Sequence, residues 1–129
     1  MSILLQLEAM RIIKEIMRKS DKKIDNKLRI ALTDVCELAL KNIEGFQWLT
    51  HIVNYANFPQ SLKVVCVFDT NEHLDSYWQS TKNQLLVSLV AQEFTRIGIN
   101  VKSASKHISY DTEENCTYQH EGNWARRLG

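Results

Sequence analysis

Cys116 and His120 stand four positions apart, and this spacing could serve a metal ion. On a helix it places both side chains on one face, within reach of the same ion. Further ligands would have to come from elsewhere, and the available residues are His51, His73, His107 and Asp111. The chain has no Cys-x-x-Cys pair, so a half-buried cysteine beside a surface histidine fits the pattern better than a metal centre. We therefore predict no metal ion and no other cofactor, and we retain Cys116 and His120 as the residues to check.

A polar cleft is the second candidate site, because acidic and imidazole side chains stand near the ends of predicted strands. Asp69 follows one apolar stretch and Asp111 ends another. If the two strands are neighbours, these carboxylates could share a cleft and bind a divalent cation. The candidate cleft comprises His51, Asp69, His107 and Asp111. However, no predicted strand carries the acidic residue, spacer and lysine of a mixed-sheet nuclease, and helix capping alone accounts for Asp69 and Asp111.

Other catalytic patterns are missing from the sequence. No glycine-rich loop follows a strand, and neither GxGxxG nor GxxxxGK[ST] is present, which argues against nucleotide hydrolysis and dinucleotide redox chemistry. Cys116 could act as a nucleophile only with His107 or His120 beside it, and no oxyanion loop accompanies them. This pattern favours a protein that is not an enzyme, without deciding the question.

The charge is divided between a basic front and an acidic body. Residues 11–29 hold eight basic and three acidic side chains, a net charge of +5, whereas residues 34–121 hold six basic and eleven acidic ones, a net charge of −5. The candidate nucleic-acid patch comprises Lys19, Lys22, Lys23 and Lys27. Such a patch could bind a polyanion or the acidic body of another copy, or it could be the solvated face of a helix.

The N-terminal segment is strongly apolar. Residues 2–19 contain no glycine or proline and predict a helix with apolar side chains over a wide arc. A terminal helix of this kind must pack on its own domain or on another subunit. We interpret residues 1–16 as an N-terminal helical extension and residues 17–129 as one domain. Self-association is the expected consequence, and the candidate interface comprises Leu4, Leu5, Met10, Ile13 and Met17.

Hydrophobic periodicity predicts one long helix and one hairpin in the first half of the domain. Residues 21–44 have apolar side chains three and four positions apart, which predicts an amphipathic helix. Residues 62–68 are almost continuously apolar, which predicts a central strand covered on both faces. Residues 46–55 are rich in aromatic and β-branched side chains and are expected to pair with that strand as an antiparallel hairpin.

The second half of the domain repeats both kinds of pattern. A capping box at Thr81 predicts a helix that Gly98 closes, with Ile99 packing back on its last turn. Two short strands are expected over 99–104 and 107–111, followed by a helix to about His120. The predicted order is α-α-β-β-α-β-β-α. We therefore expect a single α+β domain with a small mixed sheet and helices mainly on one face.

Size and composition restrict the class of protein. The chain has 129 residues and a mass of 15.0 kDa, with 44% hydrophobic residues and a net charge of +1, which suits one compact domain. Gln6 and Glu8 interrupt the first apolar run, unlike a secretory signal, and no stretch approaches the roughly 20 apolar residues of a membrane span. Three widely spaced cysteines indicate reduced thiols. We predict a cytoplasmic protein without a membrane partner.

Several stretches together resemble one family of small uncharacterised bacterial proteins. They are Asp21-Lys-Lys-Ile-Asp-Asn26, Gly45-Phe-Gln-Trp-Leu-Thr-His51, Phe58-Pro-Gln-Ser-Leu-Lys-Val-Val-Cys-Val-Phe-Asp69, Tyr110-Asp-Thr-Glu-Glu-Asn-Cys116 and Gly122-Asn-Trp-Ala-Arg-Arg-Leu128. Members are often named "Fis family transcriptional regulator", and some are carried as integron gene cassettes. The resemblance runs from about Met17 onward and implies a compact domain without an established activity.

The transcription-factor function in that family name does not fit this sequence. The Fis protein reads DNA with a C-terminal helix-turn-helix, whose second helix enters the major groove. The last third of this chain predicts strands, and its acidic residues would repel phosphate. We instead predict a small binding or interaction module that forms homo-oligomers, with its ligand unidentified. The alternatives are a nucleic-acid-binding protein that uses residues 11–29 and a small metal-dependent enzyme.

Overall fold

The computed structural model describes residues 18–129. The predicted extension 1–16 and the candidate interface residues Leu4, Leu5, Met10, Ile13 and Met17 lie outside the described residues. The first described element is helix α1 (Lys19–Asn42). The apolar face predicted for this helix is confirmed, because Leu28, Leu32 and Val35 are all buried.

A mixed sheet of three strands forms in the described part of the chain. The central strand β2 (Lys63–Phe68) pairs antiparallel with β1 (Phe46–Ile52) and parallel with β3 (Ile108–Thr112). The predicted hairpin and central strand are therefore confirmed. We call the end of the sheet where β2 and β3 begin the amino end, and the end where they finish the carboxyl end.

Within residues 18–129, four further helices follow α1 along the chain. Helices α2 (Asn71–Gln79) and α3 (Leu85–Arg96) connect β2 to β3, whereas α4 (Glu113–His120) and α5 (Trp124–Leu128) follow β3. The α+β class with a small mixed sheet is confirmed, and the order over the described residues is α-β-β-α-α-β-α-α. Of the helices in residues 18–129, none has both the length and the apolar character needed to cross a membrane.

The central strand is buried on both faces and divides the core in two. Val64, Cys66 and Phe68 lie in the larger cluster with α1, α2 and α3, on what we call the first face. Val65 and Val67 lie in a smaller cluster with α4 and α5, on the second face. Alternation along β2 produces this division, since successive side chains of a strand point to opposite faces. Each fully buried valine contributes about 1.5–3 kcal/mol through removal from water.

Aromatic rings hold the first face together. The Phe68 ring lies 5.9 Å from Phe46 and 5.3 Å from Tyr77, measured between centroids. The Tyr77 hydroxyl accepts a hydrogen bond from the backbone N–H of Leu86 at 3.2 Å. Tyr77 thus links α2, the start of α3 and the central strand through one side chain.

The predicted strand over residues 99–104 is not formed. Gly98 adopts a φ of +80° and ends α3, and the N–H of Ile99 donates to the carbonyl of Phe94 at 2.8 Å. Ile99 is buried against the larger cluster, so its apolar side chain serves the helix end, as the glycine pattern predicted. Residues 104–107 form a short 3₁₀ helix, and only β3 remains of the two predicted strands.

Two helix starts differ from the predicted ones by a few residues. Thr70, and not Asp69, caps α2 by accepting the N–H of His73 at 3.1 Å. Helix α3 begins at Leu85, after a turn in which the N–H of Leu85 donates to the carbonyl of Lys82 at 2.9 Å. The predicted cap at Thr81 is therefore not used, because that turn already satisfies the first backbone donor.

Gly45 and Gly98 provide a matched test of local packing. Both have positive φ, +84° and +80°, but a Cβ at Gly45 would lie 2.4 Å from the His73 Cβ, whereas a Cβ at Gly98 would meet nothing within 4 Å. We expect Gly98→Ala to cost about 1–2 kcal/mol through the left-handed backbone alone. Gly45→Ala should cost about 2–5 kcal/mol, because overpacking adds about 1–3 kcal/mol. Urea unfolding of both variants measures the difference, and equal losses would contradict the contact with His73.

Candidate functional site

The four residues of the predicted polar cleft are not brought together in one cleft. His51 pairs with Val64 on β1, and His107 directly precedes β3, so both histidines lie at the amino end with β2 between them. Asp69 follows β2 and Asp111 is the fourth residue of β3, so both carboxylates lie toward the carboxyl end. The strands are neighbours as expected, but the histidines and the acids occupy opposite ends. His107 is already engaged, since its Nδ1 lies 2.7 Å from the carbonyl oxygen of Leu62.

His51 belongs to a buried cluster around Asp25. The Tyr55 hydroxyl donates to Asp25 Oδ1 at 2.7 Å, and His51 Nε2 lies 2.7 Å from the same oxygen. Burial, together with the hydrogen bond to Asp25, raises the pKa of Tyr55 far above its usual value, so the phenol remains a donor. A buried carboxylate requires such partners. The cluster fixes the first half of α1 to the end of β1 and to the turn that follows it.

Lysines dominate the amino end beside this cluster. Segments 18–27 and 97–107 hold seven Lys or Arg residues and two Asp residues. Asp21 is paired with Arg18 at 3.1 Å, and Asp25 is held in the buried cluster. We call the six lysines of these segments the basic end: Lys19, Lys22, Lys23, Lys27, Lys102 and Lys106. None of the six forms an ion pair within residues 18–129.

The row of lysines on α1 faces away from the core. The helix is continuous from Lys19, so Lys19, Lys23 and Lys27 follow one another at intervals of four residues, and all three are exposed. Lys22 is half-buried. Three ammonium groups therefore stand in line on one helix face, about one turn apart.

The carboxyl end carries an Asp–His pair. His73 Nδ1 lies 2.7 Å from Asp69 Oδ1, and the N–H of Thr70 donates to the same oxygen at 2.6 Å. Desolvation raises the pKa of Asp69, but the hydrogen bonds from His73 and Thr70 outweigh it and leave the pKa below its usual range. The hydrogen bond to Asp69 raises the pKa of His73. Both side chains are about one-third exposed, so the pair is a surface contact open to solvent rather than a secluded catalytic dyad.

Further polar groups join the starts of α2 and α4. The Thr112 hydroxyl donates to Asn71 Oδ1 at 2.7 Å and accepts the N–H of Asn115 at 3.0 Å. Glu114 Oε1 accepts the N–H of Asn71 at 2.8 Å, and the N–H of Glu114 donates to the carbonyl of Asp69 at 3.0 Å. Carboxylates are stabilised at helix N-termini. These contacts account for the acids of the carboxyl end as groups that hold two helices in place.

Glu113 links two tryptophans on the second face. The indole N–H of Trp48 donates to Oε1 at 2.6 Å, and that of Trp124 donates to Oε2 at 2.9 Å. The two rings pack edge to face with centroids 4.8 Å apart. One carboxylate thus connects β1 to α5, with both oxygens in use.

Asp111 is held by Arg127 in a similar way. Arg127 Nε donates to Oδ2 at 2.6 Å, and Nη2 donates to Oδ1 at 3.0 Å. This bidentate geometry is the strongest form of the contact between arginine and a carboxylate. It ties α5 to β3, and it removes Asp111 from the set of free carboxylates that a cation site would need.

Glu113→Gln tests the shared acceptor. An amide has one carbonyl oxygen, so its NH₂ group must face one of the two indole N–H groups, and we expect a loss of about 1–3 kcal/mol. Glu114→Gln is the matched control, because Glu114 accepts at one oxygen and the amide retains that acceptor. Urea unfolding followed by tryptophan emission measures both variants. Equal stability of the two would show that the shared carboxylate does not hold α5 in place.

Cys116 and His120 do not form a metal-ligating pair with other residues. Cys116 is fully buried in the smaller cluster, and desolvation raises the pKa of its thiol, which keeps the sulfur protonated and disfavours nucleophilic or metal-ligating roles. His120 Nδ1 lies 3.1 Å from Arg127 Nη1. Within residues 18–129, no group of three or more His, Cys, Asp or Glu side chains is placed to hold a metal ion.

The sequence interpretation missed the residues that make most of these contacts. Asp25 was counted only as one of the acidic charges of residues 11–29, although Leu28 and Leu32, three and seven positions along, place it near the apolar stripe of α1. Arg127 entered only as part of the stretch 122–128, and the sequence interpretation gave it no role. A signal for Asp25 was present, because a helix residue three positions before a buried leucine shares its face. No comparable signal exists for Arg127, whose partner lies 16 positions away.

No protein-family model, no curated protein and no solved structure matches this chain. The resemblance to the bacterial family described above therefore stays a prediction.

Proposed function

We propose that this protein is a non-enzymatic binding module whose basic end binds the phosphate backbone of a nucleic acid. The observation that carries the proposal is the separation of charge along the sheet, with unpaired lysines at the amino end and acidic groups at the carboxyl end. A phosphate backbone is attracted to the first surface and repelled by the second. The charge separation would therefore orient the protein on its ligand.

The shape of the amino end supports contact with an extended polyanion. Helix α1 has 24 residues, or about 36 Å of length, whereas β1 has seven residues, or about 23 Å. Because Asp25 lies beside His51 near the end of β1, the first turns of α1 extend beyond the sheet. Lys19 and Lys23 are thus presented on a projecting helix, away from the acidic carboxyl end.

The contacts of the acidic groups support a binding role over catalysis. Asp69 is paired with His73, Asp111 with Arg127, and Glu113 with two indoles. Each of these carboxylates is committed to a structural contact. We also propose a cytoplasmic location, where cysteines are normally reduced, and an origin as an integron cassette in the bacterial family that the sequence resembles.

A salt titration with duplex DNA tests the proposal. Lysines that neutralise phosphates release counterions, so log affinity should fall with log salt at a slope of about −0.9 per phosphate. Three or four contacts predict a slope of about −3 and little sequence preference. Lys23→Glu should weaken binding to every sequence and reduce the slope by about one. Fluorescence anisotropy with a labelled duplex of mixed sequence measures both quantities.

Lys41→Glu is the matched control for this experiment. Lys41 is exposed on the same helix but lies in its last turn, toward the carboxyl end. The substitution changes the net charge by the same amount as Lys23→Glu, so a general charge effect would weaken both variants equally. Equal loss in the two variants, or no binding by the native protein at about 50 mM salt, where counterion release is strongest, would contradict the proposal.

Self-association is the second candidate function, and the same charge separation favours it. The basic end of one copy complements the carboxyl end of another, where Glu72, Asp75 and Glu114 are exposed. Exposed apolar side chains on α1, Ile30, Leu38 and Leu40, add surface that a second copy could cover.

Sedimentation velocity of the native chain in low and high salt tests self-association. A head-to-tail contact between opposite charges should weaken as salt rises, because exposed charges are screened over about 8–10 Å at physiological salt. Lys23→Glu should reduce the oligomer at low salt, whereas Lys41→Glu should not. A monomer at low salt would contradict this candidate, and an oligomer that persists equally at high salt would assign the contact to the apolar residues.

A further inference from the structure

A groove of about 360 Å³ opens on the second face of the sheet, beside α4 and α5. Strand alternation builds its floor, since Lys63 and Val65 of β2 lie on this face next to Ser109 and Asp111 of β3. Its size lies at the lower end of the range for small-molecule sites. It uses none of the six lysines of the basic end.

The contact with Arg127 determines which ring nitrogen of His120 carries the proton. A guanidinium group has five N–H donors and no acceptor. Two donate to Asp111, and Nη1 contacts Gln119 Oε1 at 2.8 Å and His120 Nδ1 at 3.1 Å. Because arginine can only donate, Nδ1 of His120 must accept. The proton of the imidazole ring is therefore on Nε2, and His120 is a donor toward any further partner.

The groove consequently has more donors than acceptors. Lys63 and Ser109 make no side-chain hydrogen bond or ion pair within residues 18–129. With the free N–H of His120 and the fifth N–H of Arg127, they give four unused donor groups around one space. The carboxylate of Asp111 is already neutralised by Arg127. The ligand that complements these four donor groups is an anion with several acceptor oxygens.

We propose that this groove binds a small molecule bearing a phosphate group, with the phosphate beside Lys63, Ser109 and His120. Donors on the floor and the wall approach from different directions, and a tetrahedral phosphate can accept from all of them, whereas a planar carboxylate has two oxygens in one plane. Val65 and Leu128 also line the groove and provide apolar contact for the remainder of the ligand.

Titrations followed by two-dimensional ¹H–¹⁵N NMR test the site with inorganic phosphate and with adenosine monophosphate. Sodium chloride holds the ionic strength constant, and adenosine is the control without a phosphate. We expect saturable shifts confined to the groove, at Ser109, His120 and the Nε–H of Arg127. Lys63→Gln should weaken binding by about tenfold or more through loss of a charge-assisted hydrogen bond. Lys41→Gln removes an equal charge from an exposed lysine outside both the groove and the basic end, and it should change phosphate affinity by less than about twofold.

The phosphate could also belong to the end of a nucleic acid, and a further arm separates the two sources. One oligonucleotide carries a 5′-phosphate and its counterpart does not. If the site takes only small molecules, the NMR shifts of the groove residues should not depend on the 5′-phosphate. Shifts that require the 5′-phosphate would assign the groove to strand ends. Non-saturable phosphate shifts, or equal weakening by Lys63→Gln and Lys41→Gln, would overturn the site. Retained phosphate binding in Lys23→Glu would separate this result from the failure of nucleic-acid binding.

Discussion

The constraint on which the structure depends is the burial of β2 on both faces. Val64 and Val67 are fully buried on opposite sides of the same strand, so the sheet requires a cover on each side. Within residues 18–129, three helices supply the first cover and two short helices supply the second. The second cover is held by directed contacts, the shared Glu113 carboxylate and the bidentate contact of Arg127 with Asp111.

The arrangement of charge follows from the same topology. Because β2 and β3 are parallel, helices α2 and α4 both begin at the carboxyl end, where acidic side chains are stabilised by the helix dipoles. Helix α1 runs the other way and brings its lysine-rich first half to the amino end. The separation of charge is thus a consequence of chain direction.

Local sequence patterns predicted most of the fold. They did not predict the contacts between residues that are distant in the sequence. The period of α1, the apolar run of β2 and the glycine at the end of α3 each depend on neighbours within a few positions, and each is confirmed. The stretch 99–104 was misassigned because a short apolar segment can pack as a helix end as well as a strand. The contacts of Glu113 with Trp48 and of Asp25 with Tyr55 join residues 65 and 30 positions apart, which no local period encodes. The candidate cleft failed for a different reason, because His107 begins and Asp111 ends one predicted strand, and this separation along the strand was left out of the grouping.

Helices α4 and α5, which cover the second face of the sheet, come after all three strands in the sequence. This order has a consequence during translation. Domains begin to fold from the N-terminal side while translation continues, and α1, the hairpin and the crossover helices emerge before residues 113–128. During that interval Val65, Val67 and Trp48 face water on an uncovered strand pair. The nascent chain therefore presents an apolar, β-rich surface of the kind that aggregates or recruits chaperones, until Trp124 and Arg127 leave the ribosome and close it.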